Sequence, residues 1–108
     1  MKILNQNRDF LRIFSKGKAV PAKTVVVYSC KTRYEPRFAV VAGKKVGNAV
    51  LRNRAKRVLR AAFWEIMKEN SLKPKHDFIL VARVKTPLVK MDEVKKDVLM
   101  ALKKLEMI

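Results

Sequence analysis

Residues 49–68 constrain the fold of this chain more than any other segment, because they contain no glycine or proline and carry a helical pattern of apolar side chains. At about 100° per residue, these side chains fall within an arc of about 100°. They are Leu51, Ala55, Val58, Leu59, Ala62 and Ile66. Gly47 offers a break before the segment, and Asn48 is suited to cap a helix by accepting a backbone N–H. The pattern predicts a helix that docks through its apolar side.

The other side of this helix is rich in cations. A set of polar residues shares an opposing arc of about 140°, and Arg54 lies at the far margin of the apolar stripe. The set is Arg52, Asn53, Lys56, Arg57 and Arg60. Residues 36–64 contain no Asp or Glu, so nothing in this window offsets the repulsion between like charges spaced i,i+4. A polyanion would relieve that repulsion, and arginine is suited to bidentate phosphate contacts and to stacking on bases. We therefore predict a nucleic-acid-binding face; a plain solvated surface is the alternative.

The composition agrees with a folded domain that binds a polyanion. The length of 108 residues suits one domain, 1–108, and a hydrophobic content of 49% argues against a disordered basic tail. The formal net charge of +17 implies a polyanionic partner. A membrane surface is a weaker candidate, because no apolar stretch approaches the length of a spanning helix. Residues 1–7 lack the apolar core of a signal peptide, and we expect a cytoplasmic protein.

Residues that could carry catalysis or hold a metal ion are scarce. Cys30 and His76 are each the only residue of their type, and neither has neighbours in a metal-ligand pattern. The chain has three glycines and no glycine-rich phosphate loop. The sequence shows no cluster of carboxylates suited to two metal ions and no pair of histidines for acid–base chemistry. We therefore predict no catalytic residue and no metal site on the protein.

The remaining patterns predict a small α+β domain. Helices are predicted at residues 7–15, 49–68 and 92–106, and strands at 23–30, 38–43 and 78–84. Gly17 closes the first helix, Asp92 caps the last, and residues 33–36 suit a hairpin between the first two strands. This order predicts two layers, with helices against one small sheet. The long helix would cross over between parallel strands, and the general rule makes such a crossover right-handed.

Three aromatic residues leave two interpretations open. Phe10 and Phe14 lie one turn apart on the first predicted helix and most simply belong to the core. Tyr28 can instead lie on a sheet face with its hydroxyl near water. If the three rings line one groove beside Arg12 and Lys44, they form a stacking platform for single-stranded nucleic acid, worth about 1–3 kcal/mol per base.

A family resemblance rests on the run Lys44-Lys45-Val46-Gly47-Asn48-Ala49-Val50-Leu51-Arg52-Asn53-Arg54, continued by Lys56-Arg57 and Arg60. This run resembles the signature of the bacterial ribonuclease P protein subunit. Asp9-Phe10 with Phe14 and Gly17 resembles the N-terminal helix of that family, and residues 78–83 resemble its last strand. The resemblance covers the whole chain in length and element order.

The resemblance implies an αβββαβα fold with a four-stranded sheet and a left-handed βαβ crossover, against the general rule. The fourth strand would be a short piece near residues 18–20. The resemblance also implies a function. The protein would join a catalytic RNA to form an endonuclease that removes the 5′ leader of precursor tRNA. The hydrolysis would depend on Mg²⁺, which is bound mainly by the RNA subunit and the substrate, and no organic cofactor would be needed.

The resemblance further assigns roles to individual residues, with one protein expected per RNA. Contacts to the RNA subunit would come from Lys44, Lys45, Asn48, Arg52, Asn53, Arg54, Lys56, Arg57 and Arg60. Contacts to the precursor tRNA leader would come from Phe10, Arg12, Phe14 and Tyr28. Two alternatives share the same charge and size: a non-catalytic RNA-binding protein, such as a ribosomal protein, and a DNA-binding module that places the basic helix in a major groove.

Overall fold

The structure is a computed structural model that describes residues 2–108, and it contains three α-helices and five strands. In chain order these are β1 (Lys2–Ile3), α1 (Asn7–Lys16), β2 (Lys18–Pro21), β3 (Val25–Lys31), β4 (Arg37–Val41), α2 (Ala49–Glu69), β5 (His76–Ala82) and α3 (Met91–Lys104). Short 3₁₀ helices lie at Lys44–Val46 and Thr86–Leu88. The predicted helices and strands are therefore all present, and none of the helices in residues 2–108 is long and apolar enough to cross a membrane.

The strands form one mixed sheet in the order β1-β4-β5-β3-β2. Strand β2 is the short fourth strand expected near residues 18–20, and it pairs antiparallel with β3. The sheet has one strand more than the four expected, because Lys2–Ile3 adds a parallel edge strand to β4. Two residues are too few to show an alternating pattern, so no sequence signal indicates this strand.

The hairpin predicted at residues 33–36 is wrong. Strand β5 lies between β3 and β4, antiparallel to the first and parallel to the second. Every residue of β5 except Val81 is buried, and a strand that is buried on both faces belongs at the centre of a sheet. Helix α2 connects the parallel strands β4 and β5, which confirms its prediction as a crossover.

The two-layer prediction is incomplete, because helices lie on both faces of the sheet. Successive side chains of a strand point to opposite faces. Accordingly, Val27 belongs to the main core under α2 and α3, whereas its neighbour Tyr28 packs on the opposite face. There, Ile13 of α1 is fully buried in a second, smaller cluster with Ala39 and Ile79. Helix α1 thus packs on the face of the sheet opposite to α2 and α3.

The helix ends follow from local chemistry with one exception. Gly17 closes α1 as predicted, and a Cβ atom there would lie 2.5 Å from the Ile13 carbonyl oxygen, so only glycine fits this close approach. The prediction that Asp92 caps α3 is wrong. Lys90 occupies the N-cap position without a side-chain cap, and Asp92 lies in the first turn, where its charge favours the helix N terminus.

Candidate RNA-binding surfaces

The start of α2 is built by Gly47 and Asn48. Gly47 has a φ angle of 136°, a conformation that favours glycine, and a Cβ atom there would lie 2.6 Å from Leu51 Cδ1. The Asn48 side chain accepts a hydrogen bond from the Leu51 N–H at 3.0 Å, which confirms the predicted cap. From this fixed start, α2 buries Ala55, Leu59, Ala62, Phe63 and Ile66 against the sheet and α3.

Burying that side turns the cations of α2 outward. Asn53, Arg54, Arg57 and Arg60 are exposed, and Arg52 and Lys56 are half-buried. We call the set Arg52, Asn53, Lys56, Arg57 and Arg60 the arginine face. Within residues 2–108, no side chain of the arginine face takes part in an ion pair or an internal hydrogen bond. A shallow groove on this face is lined by Val50, Asn53, Lys56, Arg57 and Arg60.

The acidic residues of α2 do not neutralise the arginine face. Glu65 and Glu69 lie on the C-terminal half of the helix and contact Lys95 of α3, at 3.5 and 2.8 Å. The hydrogen bond from Lys95 to Glu69 raises the pKa of the lysine. Both carboxylates are therefore engaged by the neighbouring helix, and the arginine face keeps its full positive charge.

The other residues predicted to contact the RNA subunit lie at the approach to α2. Lys44 and Lys45 are exposed on the 3₁₀ helix that precedes Gly47. Asn48 is exposed, but its side-chain oxygen is used by the helix cap. The structure thus places these three residues directly before the arginine face along the chain, and Arg54 is an exposed residue of α2 outside that face.

The three aromatic residues meet where α1 packs on the sheet. The ring centroids of Phe10 and Phe14 lie 6.3 Å apart, and Phe14 meets Tyr28 at 4.9 Å with perpendicular rings. Phe14 is 43% exposed, whereas Phe10 and Tyr28 are half-buried against the smaller core cluster. The three rings therefore form one partly exposed aromatic cluster between α1 and the sheet, and we call the set Phe10, Phe14 and Tyr28 the aromatic cleft.

Arg12 does not turn freely toward the aromatic cleft, because it is held by an ion cluster. The cluster consists of Asp9, Arg12, Arg37 and Asp77, and the Asp77 side chain is fully buried. Arg12 and Arg37 both donate to Asp77 Oδ2, and Arg12 also donates to the Lys31 carbonyl at 2.8 Å. Burial lowers the pKa of Arg12, but the hydrogen bond to Asp77 and the neighbouring negative charges together raise it overall. The hydrogen bond to Asp77 likewise raises the pKa of Arg37.

Sequence reasoning missed this cluster and the basic cleft next to it. That cleft is lined by Arg8, Asp9, Arg12, Lys31, Thr32, Arg33, Tyr34 and Arg37. The Arg37 guanidinium lies 5.1 Å from the centre of the exposed Tyr34 ring, a cation–π distance. One signal was present in the sequence: Asp77 directly precedes the apolar run of β5, and an acidic residue at the start of a central strand requires a partner.

Similarity to known proteins extends over nearly the whole chain. A family model described as Ribonuclease P matches residues 1–106. The Ribonuclease P protein component of Listeria monocytogenes serotype 4a is 35% identical over 102 residues, which cover 93% of this chain and 84% of the relative. The protein of the same name from Oceanobacillus iheyensis is 37% identical over 95 residues, covering 86% and 77%.

Solved structures give the same result. The RNase P protein of Staphylococcus aureus superimposes with a TM-score of 0.83 at 29% identity, covering 99% of this chain and 97% of that chain. The RNase P protein of Thermotoga maritima superimposes with a TM-score of 0.81 at 28% identity, covering 96% and 97%.

Proposed function

This chain belongs to the ribonuclease P protein family, and from that premise we propose how its two surfaces divide the binding of RNA. It is the protein component of the ribonucleoprotein endonuclease that processes the 5′ ends of tRNA, and its partner is ribonuclease P RNA. We propose that the arginine face, with Lys44, Lys45, Asn48 and Arg54, binds this RNA subunit.

The unneutralised charge of the arginine face is the observation that carries this proposal. Its cations have no acidic partner within residues 2–108, so folding leaves their mutual repulsion in place. Phosphates would remove that repulsion and release condensed counterions, which makes the binding strongly salt-dependent. Arginine also forms bidentate contacts with phosphate, so the face can fix orientation as well as supply affinity.

We assign the 5′ leader of precursor tRNA to the aromatic cleft. Phe14 offers an exposed ring that is supported by Phe10 on one side and Tyr28 on the other. Unpaired bases stack on such rings without sequence preference, as binding of varied leaders requires. Arg12 would act here mainly by holding α1 to the sheet through Asp77, and so by keeping the cleft in shape.

We further propose that the Mg²⁺ ions of the reaction are held mainly by the RNA subunit and the substrate. The donors of the protein fit a metal ion poorly: residues 2–108 contain no group of three or more His, Cys, Asp or Glu side chains that could hold one. The carboxylates of Asp9 and Asp77 are occupied by two arginines. One protein per RNA, a cytoplasmic location and a left-handed β4-α2-β5 crossover complete the proposal.

The test is cleavage of a precursor tRNA at low Mg²⁺ by a bacterial ribonuclease P RNA, by this protein, and by both together. We expect slow cleavage with the RNA alone, none with the protein alone, and a marked increase with both, since bound cations reduce the Mg²⁺ needed to screen phosphate repulsion. Failure of the protein to stimulate cleavage at any Mg²⁺ concentration would refute the proposed function.

A further inference from the structure

Trp64 is an exposed aromatic residue on the same side of α2 as the arginine face. It is the only tryptophan of the chain, and it is 42% exposed. It follows Arg60 by four residues and Arg57 by seven, spacings that place side chains above one another on a helix. Lys68, exposed as well, follows after four more residues. The stripe of cations therefore continues through an indole ring and beyond it.

The indole ring of Trp64 packs against a buried aromatic residue of the sheet. It meets the Phe38 ring at a centroid distance of 5.5 Å, with the two planes nearly perpendicular at 84°. Phe38 is only 2% exposed and is packed against Phe63, so it is a rigid support. A ring fixed in this way loses little conformational entropy when a ligand stacks on it.

The surroundings of Trp64 indicate what would cover it. Its indole N–H makes no hydrogen bond within the described part of the chain, and cations lie one turn away on either side, at Arg60 and Lys68. A protein surface that covered Trp64 would have to bury these cations or supply acids for them. An RNA strand would satisfy both features, with phosphates on the cations and a base on the ring.

We propose that Trp64 is a stacking site for an unpaired base of the RNA subunit, with the flanking phosphates bound by Arg57, Arg60 and Lys68. The base is unpaired, because bases inside an RNA duplex are already stacked on their neighbours and have no free face for the indole ring. This inference rests on the proposed binding of ribonuclease P RNA by α2, and it extends that surface by about two helical turns, from Arg60 to Lys68.

The only tryptophan of the chain allows a direct test. Titration of the protein with an in vitro transcribed bacterial ribonuclease P RNA should quench tryptophan emission, because stacking on a base quenches the indole. In a filter-binding assay, Trp64→Leu should weaken binding by roughly 5- to 150-fold, the range expected for loss of one base–aromatic stack. Trp64→Phe, which keeps an aromatic face, should retain most of the affinity.

Salt dependence and a matched control separate stacking from other effects. Trp64→Leu should leave the slope of log Kd against log salt unchanged, since no phosphate contact is lost. Met100→Ala is the control, because it removes a similarly exposed side chain (37%) from α3. Cations alternate with acids on that helix, so the substitution should leave RNA binding unchanged. Melting curves of all variants show whether each one is folded at the assay temperature.

The inference fails if the wild-type protein binds the RNA with a salt-dependent affinity while its emission stays constant. It also fails if the folded Phe and Leu variants bind equally well, because an aromatic face would then contribute nothing. Both results would leave the proposed function intact, whereas an absence of any RNA binding by the wild-type protein would refute that function itself.

Discussion

Replacing Asp77 by alanine probes how the aromatic cleft is held together. The Asp77 carboxylate accepts hydrogen bonds from Arg12 on α1 and, at 3.1 and 2.8 Å, from Nε and Nη2 of Arg37 on β4. It therefore joins a helix to two neighbouring strands at one buried point. Its removal leaves the two guanidinium groups with Asp9 as their only carboxylate partner, at 3.5 Å or longer, although Arg12 keeps its hydrogen bond to the Lys31 carbonyl.

The expected loss of stability follows from the burial of the three side chains. Removing one partner of a buried ion pair costs about 3–5 kcal/mol, because the remaining charge is left without compensation. Asp77 is fully buried, but the Arg12 and Arg37 side chains are 29% and 18% exposed and can recover some hydration. We therefore expect the lower end of the range, about 3 kcal/mol, or roughly 10–20 °C in the melting temperature of a domain of this size.

Thermal unfolding followed by circular dichroism measures this effect, with Asp92→Ala as the control. Asp92 is an exposed acid in the first turn of α3, and its loss should cost well under 1 kcal/mol, or roughly a helix-dipole contribution. At a temperature where Asp77→Ala is folded, its affinity for precursor tRNA should fall more than its affinity for mature tRNA, because α1 carries Phe10 and Phe14. A melting temperature within about 3 °C of wild type would refute the reasoning, since the carboxylate would then contribute no more than an exposed one.

Two other predictions concern the binding surfaces. Replacing Arg52, Arg54 and Arg57 by alanine should reduce the slope of log K against log salt for RNA binding by about 0.7–0.9 per lost phosphate contact; an unchanged slope, measured by filter binding, would remove α2 from the interface. Phe14→Leu should weaken binding of precursor tRNA, by about 1–3 kcal/mol, more than binding of mature tRNA, because the leader loses a stacking ring. If Phe14→Leu instead mainly lowers the melting temperature, Phe14 is a core residue despite its exposure of 43%.

The sequence predicted those features that depend on local geometry. Helix α2 begins at Ala49, directly after Asn48, because capping and helical periodicity act within a few residues of the chain. The orientation of its cations follows from the same periodicity, since burial of Leu59 and Ile66 turns Arg57 and Arg60 outward. For this reason the helical pattern alone identifies the arginine face residue by residue.

Features that depend on pairing between distant segments could not be read in this way. Strand β5 lies between β3 and β4 because it has no polar side and must be covered on both faces. Because β3 and β4 follow one another in the chain, the sequence instead suggested that they pair directly. The ion cluster joins Arg12, Arg37 and Asp77 from three different elements, so no spacing in the sequence predicts it. The Asp92 cap failed by two residues, because α3 begins after Lys90 without a side-chain cap and takes Asp92 into its first turn.

The sheet itself explains how one small domain could hold the two proposed RNA segments apart. Val27 and Tyr28 are adjacent in β3, yet the first packs in the core beneath α2 and the second supports the aromatic cleft on the opposite face. Most of the arginine face is exposed on α2, which packs on one face of the sheet, whereas the aromatic cleft lies on the other face. If the two surfaces bind as proposed, layers packed about 10 Å apart would keep the RNA subunit and the leader at a fixed separation. Because the ion cluster ties α1 to β4 and β5, we expect a change in that cluster to alter the cleft and to leave the cations of α2 in place. On this proposal, the alternation of side chains along a strand separates the two surfaces, and the ion cluster holds the aromatic cleft in position.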